Sequence, residues 1–358
     1  MIRTRSLLDV ADVETTSVSP DALERNTAYL GLENLARLGG ITRFSTVGQA
    51  DLASSKFVFT SEHVLLGKLR PLLRKVAYPG RRGVCSTDIY PLRPGPALDG
   101  GYLYHFLRTP GVGAWLSQRA TGANLPRVSR SVLKDLAIPI VPLEDQRRIA
   151  ALLDQVDELR AKRRRTLALL NELRESLFRS LLNAAESPYA VVKVRELVRL
   201  RSGKFLPSKA MVTRGAVPVY GGNGVNGHHN VAMYEEPRII IGRVGAHCGS
   251  VHVTAAKSWV TDNALICDWD ENVMLLGYLA DALRYAKLNQ YAATTDLRQI
   301  SARRIGELPL VVPPMRIQEL YVHNSYEVGK LLAHAEADLA KLDELFASLQ
   351  HRAFTGRL

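Results

Sequence analysis

The sequence predicts an α+β fold, with two pseudo-symmetric α/β domains separated by a coiled coil of two long helices. Three observations predict it. The 358-residue chain repeats itself at close to half its length. Each copy opens with short β-rich runs between Gly-rich turns, and each closes on a long segment with coiled-coil spacing.

The repeat is the strongest of the three. With Leu125 set on Leu297, a long block matches without a gap. Val128 falls on Ile300, Ser129 on Ser301, Leu136 on Leu308, Pro142 on Pro314, Gln146 on Gln318, Val156 on Val328 and Leu170 on Leu342. An ordered string of apolar residues, Ser, Pro, Gln and then heptads marks a duplication rather than scattered leucines. Upstream the match is looser and interrupted by short gaps. HVLLGKL (63–69) pairs with RIIIGRV (238–244), CSTDIYPL (85–92) with VTDNALIC (260–267), and GYLYHFL (101–107) with GYLADAL (277–283). RTRSLLDV (3–10) resembles KVRELVRL (193–200) at a larger offset, so the first copy carries extra residues before its GKL strand.

The elements follow in order. Residues 1–142 and 187–314 read as mixed α/β domains, with strand candidates such as HVLLGKL, RIIIGRV and SVHVTAA, and with turns densest at YGGNGVNGHH (220–229). Segments 143–186 and 315–358 read as the long helices, helical over roughly 143–183 and 315–353, entered at Pro142 and Pro314. Ile149, Leu153, Val156, Leu167, Leu170, Leu177 and Leu181 form the first seam. Tyr321, Val328, Leu332, Ala335, Leu339, Leu342, Phe346 and Leu349 form the second, which holds a single glycine, Gly329. The other reading is two amphipathic helices packed on their own domains. Globular helices usually run about 8–20 residues, and these are longer. Arg160, Arg163 and Arg174 interrupt the first seam, and AKRRR (161–165) sits at its middle. In an antiparallel pair that run would meet Glu336 and Asp338.

Composition narrows the function. A formal net charge of +12 suits a polyanionic partner, because Lys and Arg displace counterions from phosphates. Three cysteines, Cys85, Cys248 and Cys267, cannot build a disulfide framework, so a reducing cytoplasm is expected. The opening residues lack the apolar run of a signal peptide, and no apolar stretch is long enough for a membrane span.

Catalytic motifs are not evident. The chain has no GxxxxGK[ST] loop, no Gly-rich cofactor loop and no Asn-Pro-Pro-aromatic tetrapeptide; Val312-Pro313-Pro314-Met315 has only the prolines. His247, Cys248 and His252 lack the spacing of a zinc module. No metal or catalytic site is expected on the chain.

Read together, TGANLPRVSRSVLKDLAIPIVPLEDQRRIAALLD (121–154), LRQISARRIGELPLVVPPMRIQ (297–318), SLQHRAFTGRL (348–358) and AYLGLENLARLGG (28–40) resemble the specificity subunits of type I restriction-modification systems. The resemblance covers essentially the whole chain. It implies two target-recognition domains that each read half of a bipartite site on double-stranded DNA, and an antiparallel coiled coil that spaces them. It also implies methyltransferase subunits carrying S-adenosylmethionine, with motor-nuclease subunits joining for restriction. No cofactor is implied on this chain. The second copy departs from the pattern with Met315-Arg316-Ile317-Gln318 where the first has Leu143-Glu144-Asp145-Gln146, which argues against identical docking at the two copies.

DNA reading needs side chains that donate to phosphates and base edges. The first copy offers Lys56, Lys68, Arg70, Arg74, Lys75, Arg81, Arg82, Arg119, Asn124 and Arg127. The second offers Lys204, Lys209, Asn223, Asn226, His228, His229, Arg243, His247, Lys257 and Arg298. Lys68 and Arg243 stand at equivalent positions after a strand and a glycine. Two alternatives stay open from the residues alone: a two-lobed adaptor without DNA specificity, and a self-contained DNA-modifying enzyme. The first leaves the charge unexplained, and the second lacks its motifs.

Overall fold

The computed structural model describes residues 3–183, 189–293 and 298–358, excepting the side chains of residues 182–183. The expected boundary at 186/187 and most of the 293–298 loop lie outside the described residues. The chain divides into two compact units, one of Met1–Arg164 with Ala337–Leu358, the other of Arg165–Glu336. The division therefore runs through both long helices.

The duplication extends to strand order and register. In the first unit a four-stranded antiparallel sheet places Ala11–Val13, Ile89–Pro94, Val64–Gly67 and Val76–Ala77 side by side; in the second, Val198–Ser202, Ala264–Trp269, Ile239–Gly242 and Val251–Val253 take the same order. Ile89 lies opposite Gly67, and Ala264 opposite Gly242, which is the pairing the repeat dictates. A two-stranded sheet closes each unit, Arg3–Ser6 on Ala137–Ile140 and Ala190–Lys193 on Pro309–Val312. The units differ in their remaining sheet. The first has five strands drawn from residues 17–85, and the second has a hairpin, Val217–Gly221 with Gly224–His229, joined by Trp259–Val260. The extra residues of the first copy supply its larger sheet.

The long helices run Leu143–Asn183 and Met315–Thr355. Each starts directly after its proline, whose carbonyl accepts from Gln146 or Gln318. Within each unit the helix segments pair antiparallel. In the first, Arg160 bonds Asp343 at 2.6 Å and Arg163 meets Asp338 at 3.0 Å, so the basic run finds the acidic partner expected of it. Asp343, which also takes Arg164 at 3.2 Å, is a partner that spacing did not suggest. In the second unit Phe178 packs on Tyr321, ring centres 5.6 Å apart. Both readings of the helices hold at once, because the seam residues also enter the domain cores. Ile149, Leu153, Val156, Phe346 and Ala353 join Leu92, Tyr102 and Leu133 in the first core, while Phe178 and Tyr321 join Tyr278 and Ile305 in the second.

Two buried glutamines tie each first helical turn to its unit. Gln146 donates to the carbonyls of Ala97 and Val141 and accepts from Asp99 N–H at 2.9 Å; Gln318 donates to Val273 and Pro313 and accepts from Leu275 N–H at 2.9 Å. Both are fully buried. Gln146→Met or Gln318→Met keeps the volume but orphans these backbone groups, so each should lower stability by about 2–3 kcal/mol. Urea unfolding of the full chain, with the m-value unchanged, is the check.

Candidate nucleic-acid interface

Lys68 and Arg243 occupy the same backbone station. Lys68 N–H donates to Asp88 O at 2.8 Å and Lys68 O accepts from Val128. Arg243 N–H donates to Asn263 O at 2.9 Å and Arg243 O accepts from Ile300. Each pair of partners is related by the repeat. The strand ends therefore meet the loops that precede the duplicated segment, as the bridges Leu69–Arg127 and Val244–Gln299 record.

In the first unit this junction gathers Lys68, Arg70, Asn124 and Arg127. Arg70, in a left-handed conformation, donates its N–H to Pro126 O at 2.9 Å, and the side chains of Arg70, Asn124 and Arg127 are exposed. Arg127 pairs with Asp88 at 2.5 Å. Lys68 is more enclosed. Its ammonium lies 4.2 Å from the Tyr90 ring centre and donates to Thr87 O. Burial, helped by the charge of Arg127 and opposed by Asp88, holds its pKa below the usual lysine value.

The other first-copy candidates stand elsewhere. Lys56 is a correction: it is 6% exposed, and its ammonium bonds Ser54 Oγ at 2.9 Å. Its strand, Lys56–Phe59, pairs on both edges. Arg74 donates to Arg108 O at 3.0 Å and Lys75 to Leu32 O, so both are engaged within the unit. Arg81 and Arg82 are exposed at a turn, Arg81 over the Phe44 ring, and Arg119 lies on Trp115 at 4.0 Å.

In the second unit the junction gathers Asn223, Arg243, His247 and Arg298. Gly245 N–H donates to Arg298 O, and the hairpin turn Gly222–Asn223 packs on Gly242. A Cβ on Gly242 would lie 2.4 Å from the His247 carbonyl and 2.5 Å from the Gly222 carbonyl, so only glycine admits this approach. Asn223, His247 and Arg298 are exposed; Arg243 is half-buried and reaches Ser202 Oγ at 3.4 Å. His252 lies behind them. Burial lowers its pKa, with the charges of Arg284 and His247 adding to the effect.

Asn226 and His228 are exposed on the hairpin, and His229 is half-buried against Trp259 at 5.4 Å. Lys204, Lys209 and Lys257 are exposed, Lys257 in a left-handed turn. Among the described residues, no group of three or more His, Cys, Asp or Glu is placed to hold a metal, and no helix is long and apolar enough to cross a membrane. The three cysteines are buried and unpaired.

The comparisons with known proteins agree with this layout. Residues 4–171 match the family model of the type I restriction modification DNA specificity domain. The chain is 28% identical over 191 residues to the type I restriction enzyme EcoDI specificity subunit of Escherichia coli, covering 50% of this chain and 42% of that protein. It is 25% identical over 184 residues to the MjaVIII specificity subunit of Methanocaldococcus jannaschii, covering 45% and 43%. The matches thus span less than half the length of these relatives. A type I restriction-modification S subunit from M. genitalium shares the fold with a TM-score of 0.69 at 17% identity, over 99% of this chain and 96% of that one. A second solved structure, of a type I R-M system, aligns at a TM-score of 0.56 and 18% identity, over 99% and 98%. Residues 4–171 thus match a type I restriction modification DNA specificity domain, and the chain is similar in sequence to type I restriction enzyme specificity subunits.

Proposed function

We propose that the chain is the DNA-recognition subunit of a type I restriction-modification assembly. Each unit reads one half of a bipartite double-stranded site, and the long helices set the gap between the halves. Methyltransferase subunits, two in number and carrying S-adenosylmethionine, dock on the chain; motor-nuclease subunits join for restriction. The chain itself supplies recognition and no bond-making chemistry, and works in the cytoplasm. The observation that carries this reading is the repeated junction, which presents a cationic side chain at one backbone station in both units. An adaptor without DNA specificity has no use for that repetition or for the +12 charge.

Two measurements test it. Affinity for random duplex DNA should fall by about 10³-fold or more between 50 and 200 mM salt, the loss expected for six or more phosphate contacts. A flat salt response rejects the DNA interface. Incubated alone with S-adenosylmethionine and DNA, the chain should transfer no methyl groups; robust transfer would establish the self-contained enzyme instead.

A further inference from the structure

The two units join their crossing helices, Gly100–Leu107 and Leu276–Tyr285, to the long helices with different inventories of charge. In the first unit Arg108 pairs with Asp157 and lies over the Tyr104 and Phe346 rings, while the fully buried His105 meets Asp154 at 2.8 Å. The repeat offsets set Arg284 on Arg108, Asp281 on His105, Ala280 on Tyr104, Tyr326 on Asp154 and Gly329 on Asp157. The second unit keeps the arginine and loses both carboxylates of the long helix.

Its remaining acid is heavily engaged. Asp281 is 3% exposed and accepts from Arg174 at 2.9 and 3.2 Å, from Arg284, from the Tyr321 hydroxyl at 2.7 Å and from Ser325 at 3.3 Å. Two guanidiniums share one carboxylate here. In the first unit three guanidiniums, Arg108, Arg160 and Arg164, share two carboxylates, Asp157 and Asp343. The buried Nε of Arg174 has no hydrogen-bond acceptor among the described residues. Where Tyr104 and Asp157 fill the first unit, Ala280 and Gly329 leave an open cavity of about 370 Å³, bordered by Arg174, Asp281, Arg284 and Tyr326. A Cβ on Gly329 would meet nothing within 4 Å. Glycine is a poor helix former, and no packing inside the unit requires one at this point of a 41-residue helix.

We infer that this cavity is a carboxylate-binding site, its ligand sitting where the Asp157 carboxylate sits in the first unit and accepting from Arg174 and Arg284. Guanidinium forks match the planar, two-oxygen geometry of a carboxylate, and a second acid neutralises the surplus cation and satisfies the orphaned N–H. The carboxylate comes either from a small free anion or from an acidic side chain of a bound protein.

The test compares Gly329→Asp with Gly329→Asn in the full chain, two substitutions of nearly equal shape and helix propensity. Gly329→Asp places a carboxylate at the site and should unfold about 2–4 °C above Gly329→Asn. Equal or lower stability of the Asp variant overturns the inference. Acetate against chloride at equal ionic strength then identifies the source, read on the Arg174 Nε–H resonance. A saturable shift that Gly329→Asp abolishes assigns a free anion. No shift, with the Asp variant still the more stable, assigns a carboxylate delivered on a protein chain. A shift that persists in Gly329→Asp places acetate elsewhere and overturns the site. None of these readouts involves DNA, so failure here leaves the recognition reading untouched.

Discussion

A chain lengthened by one heptad in each long helix should keep both half-site sequences and prefer a gap about three base pairs longer. The insertion points are the unit boundaries, between Arg164 and Arg165 and between Glu336 and Ala337, so every contact within a unit survives. Seven residues preserve the apolar seam and add about 10 Å at roughly 1.5 Å per residue. At 3.4 Å per base pair that is close to three pairs. A helix of 41 residues is about 60 Å long, enough to separate sites that lie one turn apart, near 34–36 Å. Methylome mapping with the lengthened chain in place of the original reads the outcome directly. Altered half-sites, or an unaltered gap, would show that the helices are not the ruler.

The second large effect concerns the repeated junction. Arg243→Ala should weaken DNA binding by about 1–3 kcal/mol if its guanidinium reads a base edge, or flatten the salt slope by about one unit if it holds a phosphate. Its side chain is only half-buried, with one long hydrogen bond to Ser202, so stability should change by no more than about 0.5 kcal/mol. Lys68→Ala at the equivalent station behaves differently. It removes an ammonium held between Thr87 and the Tyr90 ring, so it should weaken DNA binding and also lower the stability of the first unit by about 1 kcal/mol. Salt titrations of binding, with thermal unfolding alongside, separate the two. If both variants bind and discriminate as the parent does, this surface is not the interface.

What the sequence made legible follows from which signals are local. The duplication, the prolines at the helix entries and the 4-3 seams are written in adjacent residues, and strand register and helix bounds follow them closely. The antiparallel ion pair of Arg163 with Asp338 was also within reach, because charge and mid-helix position suffice to suggest it. The contacts that gather the first unit are not local. The end of the second helix packs Phe346, Ala353 and Phe354 onto Tyr102 and Phe106 of the first unit, a partnership separated by some 250 residues that no local pattern reports.

The candidate site was legible only as a surplus of cations. Sequence could not tell the exposed Arg70, Asn124 and Arg127 from Lys56, Arg74 and Lys75, whose charged ends are spent on Ser54, Arg108 and Leu32. Side-chain direction in a strand depends on which face is covered, and the five-stranded sheet that contains Lys56 differs from the three-stranded sheet of the second unit. The helix glycine Gly329 stood out in the sequence as an oddity. Its meaning emerges only beside Asp157, which fills the same station in the other unit.

We propose that this chain chooses the DNA sequence on which an assembly acts. Genome-wide mapping of methylated bases in the source cell, with and without the gene, measures that choice most directly. The expected result is a methylated motif of two short half-sites with a fixed gap, lost entirely when the gene is deleted and restored by its return. A methylome that is unchanged by the deletion would contradict it.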